Sequence, residues 1–144
     1  TEIKLFPARD GHYRIMGSIN QMKVNFLIDT GASVIAIPGK LAKDLGLPLQ
    51  AKTTVSTASG NANAYTTEIK KLYIGPISIS NVRATIIPSM QGSYALLGMN
   101  VLKKFHIEKN SKYLILKLEN SSFSDMNYRK LSTNEEVALY QRIE

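Results

Sequence analysis

Through its first 118 residues the chain alternates apolar and polar positions in short runs, broken by turn formers at roughly 8–12-residue intervals, the spacing of an all-β barrel or sandwich. Gly11–Ile19 and Lys23–Ile28 read as the two arms of a hairpin that turns through Asn20-Gln21-Met22, and the second arm runs straight into Asp29. Val34-Ile35-Ala36-Ile37 is a β-branched strand closed by Pro38-Gly39, and residues 40–46 form a short helix stopped by Gly46. Thr53–Thr57 and Asn63–Lys70 predict a second hairpin, with Ala58-Ser59-Gly60-Asn61 as a small-residue tip. Leu72–Ile74, Ile77–Ile79 and Val82–Ile87 continue the strands through turns at Gly75-Pro76 and Ser80-Asn81. Asn100–Phe105 predicts one or two helical turns, and Tyr113–Leu118 supplies the final strand. From Glu119 the composition turns polar. Residues 119–144 read as a linker plus an appended helix, opened by the capping box Thr133-Asn134-Glu135-Glu136 and aligned along Val137, Tyr140 and Ile143.

A chain of 144 residues has room for one sizeable core, placed here in residues 1–118. It contains no cysteine, which removes disulfides, thiolate metal sites and cysteine nucleophiles. No apolar run approaches the roughly 20 residues of a membrane helix, so these residues read as a soluble domain. The chain starts at Thr1 without an initiator Met or a signal-peptide pattern, which leaves room for an anchor upstream, as in a membrane-attached bacterial envelope protein. The net charge is +7, yet the basic residues are dispersed. Only Lys70-Lys71, Lys103-Lys104 and Arg129-Lys130 are adjacent, and no aromatic platform accompanies them, so the charge reads as solvated surface rather than a nucleic-acid footprint. His12 and His106 are the only histidines and lie in no ligand-spaced cluster, so no metal or cofactor is implied. A G-x-S-x-G elbow is also absent.

The chemistry concentrates in Phe26-Leu27-Ile28-Asp29-Thr30-Gly31-Ala32-Ser33, where a carboxylate stands at the junction of an apolar strand and a small-residue turn. Desolvation there is costly unless hydrogen bonds offset it; Gly31 lets backbone amides approach, and Thr30 and Ser33 bring hydroxyls. As a bare tripeptide Asp-Thr-Gly also fits a capped turn. The preceding apolar strand and a second apolar element, Ala95-Leu96-Leu97-Gly98-Met99-Asn100-Val101-Leu102, set it apart.

With Val55–Ala62 between them, these segments resemble the retropepsin-like aspartic proteases, especially their bacterial single-domain branch of the rickettsial type, from about Tyr13 to Leu118. The resemblance implies a closed or sandwiched β-barrel with one or two short helices, and an aspartic endopeptidase. It implies Asp29 as the catalytic residue, on a loop supported by Thr30, Gly31, Ala32 and Ser33. Thr30 would brace two such loops across a dimer axis, Gly31 would permit the tight turn, and Ser33 would bond the outer carboxylate oxygen. Ala58, Ser59, Gly60 and Asn61 would form a flap over substrate, and Leu96, Leu97 and Gly98 would pack beneath the loop. Tyr65 lies several residues past that tip and reads as an ordinary half-buried strand tyrosine.

Asp10, Asp44 and Asp125 are the other aspartates, and none precedes Thr-Gly or Ser-Gly. One chain thus supplies one catalytic carboxylate, and a homodimer is needed for the second. The substrate is expected to be an extended polypeptide, with Ile35, Val55 and Ile87 as candidate apolar walls. Two other readings compete: a dimeric peptide-binding module with the same fold and no hydrolysis, and a basic β-domain whose nucleic-acid binding would weaken steeply with salt.

Overall fold

The computed structural model describes residues 2–118 and 126–128. Strand β1 is Glu2–Leu5, β2 Arg14–Ile19, β3 Met22–Ile28 and β4 Ile35–Pro38; helix α1 is Gly39–Asp44. Then follow β5 Lys52–Thr57, β6 Gly60–Ile74, β7 Ile77–Ile87, β8 Ala95–Leu97, α2 Met99–Leu102, β9 Phe105–Lys109, β10 Leu114–Leu118 and β11 Met126–Tyr128.

The β2–β3 hairpin turns on two residues, because Ile19 already pairs with Met22. Asn20 and Gln21 both take positive φ, 49° and 74°, the mirror-image turn whose twist matches that of the flanking strands. Met22, expected in the turn, is therefore the first residue of the ladder. Alternation along the hairpin buries Ile15, Ile19, Val24 and Phe26. Gly17 faces the Phe26 ring and the Tyr73 carbonyl so closely that a Cβ there would stand 2.2 Å from that oxygen.

The long β6–β7 hairpin turns at Gly75-Pro76, with Ile74 opposite Ile77 and Gly75 at φ 53°. Its arms are longer than the sequence pattern suggested. Ser80-Asn81 is not a turn: Val82 pairs with Ile69 and Ser80 with Lys71, so the ladder keeps its register across Asn81, which alone takes φ 57°.

Six strands close on themselves in the order β7-β4-β8-β3-β2-β6, the β6–β7 ladder completing the ring. Two of the contacts, β3 with β8 and β4 with β7, are parallel, while β4 and β8 meet antiparallel at Ala36 and Leu96. Of the closed or sandwiched barrel with one or two short helices that the resemblance implied, the chain forms the closed barrel, with two helices. β5 extends the sheet beyond β6, and β11 lies on the far side of β7, with Met126 opposite Ile79 and Tyr128 opposite Ile77. That short strand falls within the stretch read as linker; the helix expected from Thr133 lies outside the described residues.

A second sheet, β1-β10-β9, was not fully foreseen. β9 starts at Phe105, where the sequence pattern placed the end of a helix that in fact stops at Leu102. Ile3 and Leu5 of β1 join Leu114, Leu116 and Leu118 of β10 in the same apolar core as the barrel. Lys117 crosses this sheet's outer face between Glu2 and Glu108, at 3.7 and 3.1 Å.

Between β1 and β2, Asp10 gathers the chain. It accepts the His12 amide at 3.0 Å and a two-pronged contact from the Arg14 guanidinium, which in turn lies 5.3 Å from the Tyr94 ring. The Arg14 contact first, then the His12 amide, lowers the Asp10 carboxyl from 3.8 to about 2.

Two predictions follow from this packing. Gly17→Ala forces a side chain into backbone and ring, and is expected to lower stability by about 2 kcal/mol or more in urea unfolding. The carboxyl of Asp10 is depressed on folding, so its contribution is complete above about pH 4 and disappears as pH falls toward 2. The thermal midpoint of Asp10→Asn is expected to lack that part of the parent's decline across the same window.

Candidate active site

Asp29 is the first residue past β3, half-buried, and its loop is hung from the segment that joins β8 to α2. The Asp29 amide donates to the Leu97 carbonyl at 3.1 Å. Returning along the loop, the Met99 amide donates to the Ala32 carbonyl at 2.7 Å and the Asn100 amide to the Ser33 carbonyl at 3.0 Å. Where the loop enters β4, the Ile35 amide donates to Asn100 Oδ1 at 3.1 Å, and Asn100 Nδ2 donates to the Arg83 carbonyl on β7 at 2.8 Å.

Gly98 lies under the middle of the loop. Its φ of −93° is ordinary; space is what excludes a side chain. A Cβ at Gly98 would stand 2.4 Å from the Val34 carbonyl oxygen and 2.9 Å from that of Ala32. Gly31 serves the carboxylate directly, donating its amide to Asp29 Oδ1 at 2.9 Å. The Ala32 amide closes the turn on the Asp29 carbonyl at 3.2 Å.

Asp29 opens into a cleft of about 670 Å³ between this loop and the β5–β6 hairpin. Val34, Ala36, Val55, Ile87 and Leu96 give it apolar walls, and Thr54, Ser56, Thr57 and Thr85 give it hydroxyls. Asp29 is the one acidic or basic residue in that lining. Beneath the walls, Ala36, Ala64 and Ile87 form a small apolar cluster of their own, separate from the main core, with Val55 and Leu96 packed on it. On the outer side of the loop, Thr30, Gly31, Ala32, Ser33, Met99, Asn100 and Lys103 line a shallower depression of about 370 Å³.

The sequence-derived residues distribute unevenly over this geometry. Asp29, Gly31, Ala32 and Ser33 line the cleft, whereas Thr30 is exposed on the outer side only. Leu97 and Gly98 lie under the loop. Leu96, expected with them, instead faces the cleft, because alternation along β8 turns its side chain to the opposite side from Leu97, which is fully buried.

The hairpin tip is tighter than the four residues assigned to it. Thr57 already pairs with Gly60 and Ser56 with Asn61, so the turn proper is Ala58-Ser59. Gly60 takes φ 110°, and Thr57 Oγ1 donates to its carbonyl at 2.6 Å. Of the four tip residues only Ala58 lines the cleft. Ile35, offered as a wall, is wholly buried in the core; its neighbours Val34 and Ala36 face the cleft instead, while Val55 and Ile87 are where the wall was expected. Tyr65 packs half-buried against the main core.

Sequence reasoning missed Asn100. Its signal was faint: an asparagine, a poor helix former, inside an otherwise apolar short helix. Among the described residues no three metal-ligating side chains come together.

A closed six-stranded barrel carrying one Asp-Thr-Gly loop, with a hairpin across the cleft from it, has the architecture of a retropepsin-like aspartic protease protomer. A family profile described as gag-polyprotein putative aspartyl protease matches residues 15–104. The crystal structure of a retropepsin-like aspartic protease from Rickettsia conorii superposes with a TM-score of 0.70 at 31% identity, covering 81% of this chain and 89% of that one. Equine infectious anaemia virus (EIAV) protease, solved with the inhibitor HBY-793, shares the fold at a TM-score of 0.51 and 18% identity, covering 66% of this chain and 88% of that one. An uncharacterized protein encoded in the cobV 5' region of a Sinorhizobium species is 34% identical over 104 residues, 70% of this chain and 45% of its own length. An uncharacterized protein of Rickettsia prowazekii (strain Madrid E) is 31% identical over 119 residues, 80% of this chain and 50% of its own. The chain belongs to the gag-polyprotein aspartyl protease family, and it spans about half the length of these two curated relatives.

The seat of the loop makes Gly98→Ala a direct probe. The added methyl has only backbone to displace, so stability is expected to fall by about 1–3 kcal/mol in urea unfolding, with the Asp29 loop moved off its support.

Proposed function

We propose that the chain is an aspartic endopeptidase that works as a homodimer, its catalytic centre formed by the Asp29 carboxylates of two copies. The observation that carries this reading is the solitary carboxylate in the cleft. Asp29 meets apolar walls and hydroxyls but no second acid, base or metal cluster among the described residues. Peptide hydrolysis without a metal or a nucleophile needs one group to take a proton from water and another to protonate the scissile amide. Two facing carboxylates that share one proton supply both.

In the dimer the ionised carboxylate takes a proton from water as the water oxygen bonds to the carbonyl carbon. The protonated carboxyl donates to the carbonyl oxygen. Collapse of the tetrahedral diol then breaks the C–N bond as the carboxyl that took the water proton passes it to the leaving nitrogen and the other carboxylate takes back a proton from the diol. Thr30 is exposed on the outer side of the loop, a placement suited to bracing the partner's loop across a two-fold axis. Ser33, which lines both the cleft and the outer depression, would hydrogen-bond the outer carboxylate oxygen.

The substrate is a polypeptide bound as an extended strand. Four consecutive residues of β5, Thr54 to Thr57, line the cleft, and β5 is the terminal strand of its sheet. Consecutive strand residues that all line a cleft present the strand's edge to it, and an open edge recruits another strand through backbone hydrogen bonds. The Ala58-Ser59 turn is the flap tip that closes over it and excludes bulk water. No helix among the described residues is long and apolar enough to cross a membrane.

The test is cleavage of an unstructured protein by the parent and by Asp29→Asn across roughly pH 4 to 7, where a shared-proton pair operates on the acidic side. The parent is expected to cleave and Asp29→Asn to lose about 10²–10⁴-fold or more in kcat/KM. Specific activity of the parent is expected to fall on dilution as sedimentation reports monomer. Equal activity of parent and variant would overturn the assignment of Asp29. Peptide binding by a dimer that cleaves nothing would instead identify a non-hydrolytic binding module.

A further inference from the structure

We propose that Asn100 is a positioning residue for the Asp29 loop, acting through its carboxamide as a stand-in for a backbone peptide group; the catalytic consequence rests on the endopeptidase reading above.

β4 begins abruptly. Its first residue, Ile35, lies beside Ala84 of β7 in a parallel ladder, and one step earlier the chain is already the Asp29 loop. At that step the Asn100 side chain takes the place of a continued strand. Oδ1 accepts the Ile35 amide at 3.1 Å, and Nδ2 donates to the Arg83 carbonyl, next along β7, at 2.8 Å. A peptide unit offers one acceptor and one donor on opposite sides, and a carboxamide reproduces both. The same residue donates its own amide to the Ser33 carbonyl at 3.0 Å. Asn100 thus ties the exit of the loop to α2 by its backbone and to the barrel wall by its side chain.

The two partners dictate which end of the carboxamide is which. An amide N–H calls for oxygen and a carbonyl calls for NH₂, so neither a carboxylate nor an apolar group of similar size can satisfy both. Asn100 is absent from the lining of the Asp29 cleft, so it contacts the loop rather than substrate. Its removal lets the segment from Ala32 to Ile35 shift, and Asp29 moves with it. Displacements of this kind lower kcat more than they raise KM.

Asn100→Asp separates positioning from bulk. The introduced carboxyl still accepts from Ile35, but when ionised it sets an oxygen against the Arg83 carbonyl. When protonated it regains a donor and restores both bonds. Asn100→Ala restores neither at any pH.

The experiment measures kcat and KM for the parent and both variants from about pH 4 to 7, with folding followed by circular dichroism at each pH. Alongside it, NMR hydrogen exchange reads the protection of the Ile35 amide. The parent-to-Asp ratio of kcat is expected to be smallest at the acidic end and to widen to on the order of 100-fold at the neutral end, with KM little changed. Ile35 protection in Asn100→Asp is expected to fall about tenfold over the same rise in pH. Asn100→Ala is expected to be impaired throughout.

Should Asn100→Asp unfold near neutrality, the acidic end alone decides, since there it must outperform Asn100→Ala. A folded Asn100→Asp with the parent's pH profile and Ile35 protection overturns the proposal, as does an Asp variant no better than Ala at low pH. If the parent itself cleaves nothing, the endopeptidase reading fails, while Ile35 protection still reports whether the side chain holds the loop.

Discussion

The site depends on one constraint: the Asp29 loop lies on the Leu97–Asn100 segment so closely that Gly98 has no room for a side chain. Three backbone hydrogen bonds and the Asn100 carboxamide hold the loop from below, and the missing side chain of Gly98 lets them form. Without that seat, residues 30–34 would be a flexible small-residue turn, and a carboxylate on a flexible turn has no fixed direction. The hydrogen bonds also satisfy loop carbonyls and amides that would otherwise lie half-buried without partners.

The seat exists only because the barrel closes. β3 carries Asp29 to the cleft and β8 carries Gly98, and the two are adjacent through a parallel ladder between residues roughly 70 positions apart. β4 carries the loop away and is held by β7 on one side and β8 on the other. The apolar cluster of Ala36, Ala64 and Ile87 fills the space under the cleft floor. Small alanines there leave the cleft open, while the main core on the other side of the same strands is filled by Ile35, Ile37, Ile69 and Ile86. Alternation along these three strands divides a core face from a cleft face.

Charge plays little part in this arrangement. The contacts that join Asp10 to Arg14, and Lys117 to Glu2 and Glu108, lie on the surface away from the cleft lining and fasten the N-terminal segment and the small sheet. Exposed pairs of this kind contribute modestly to stability. None of these charged residues lines the cleft, where Asp29 stands among neutral side chains.

Several features were legible in the residues themselves because they are local. Turns at Asn20-Gln21, read one residue too long, and at Gly75-Pro76, the stop at Gly46, and the junction of an apolar strand with Asp29-Thr30-Gly31 each reflect backbone preferences of a few neighbouring residues. The spacing of short strands likewise announced an all-β barrel or sandwich, and the family resemblance implied the barrel. The sequence did not announce that β7 runs unbroken through Asn81, because its ladder with β6 outweighs one residue's taste for a turn. Nor did it reveal β9, or which of Ile35 and Ala36 faces the cleft, or that Leu96 and Leu97 part company. Those outcomes turn on which face of a strand meets a distant neighbour. Asn100 is the clearest instance: its partners lie 65 and 17 positions away, so nothing near it in the chain marks it as anything but a polar residue in a short helix. The sequence by itself determined the family, through three separated motifs in order, and marked Asp29 as the candidate carboxylate by its place at the end of an apolar strand. The tertiary structure alone decided how that carboxylate is held and what surrounds it, because hydrogen bonds and steric exclusion between remote segments exist only once the barrel has closed.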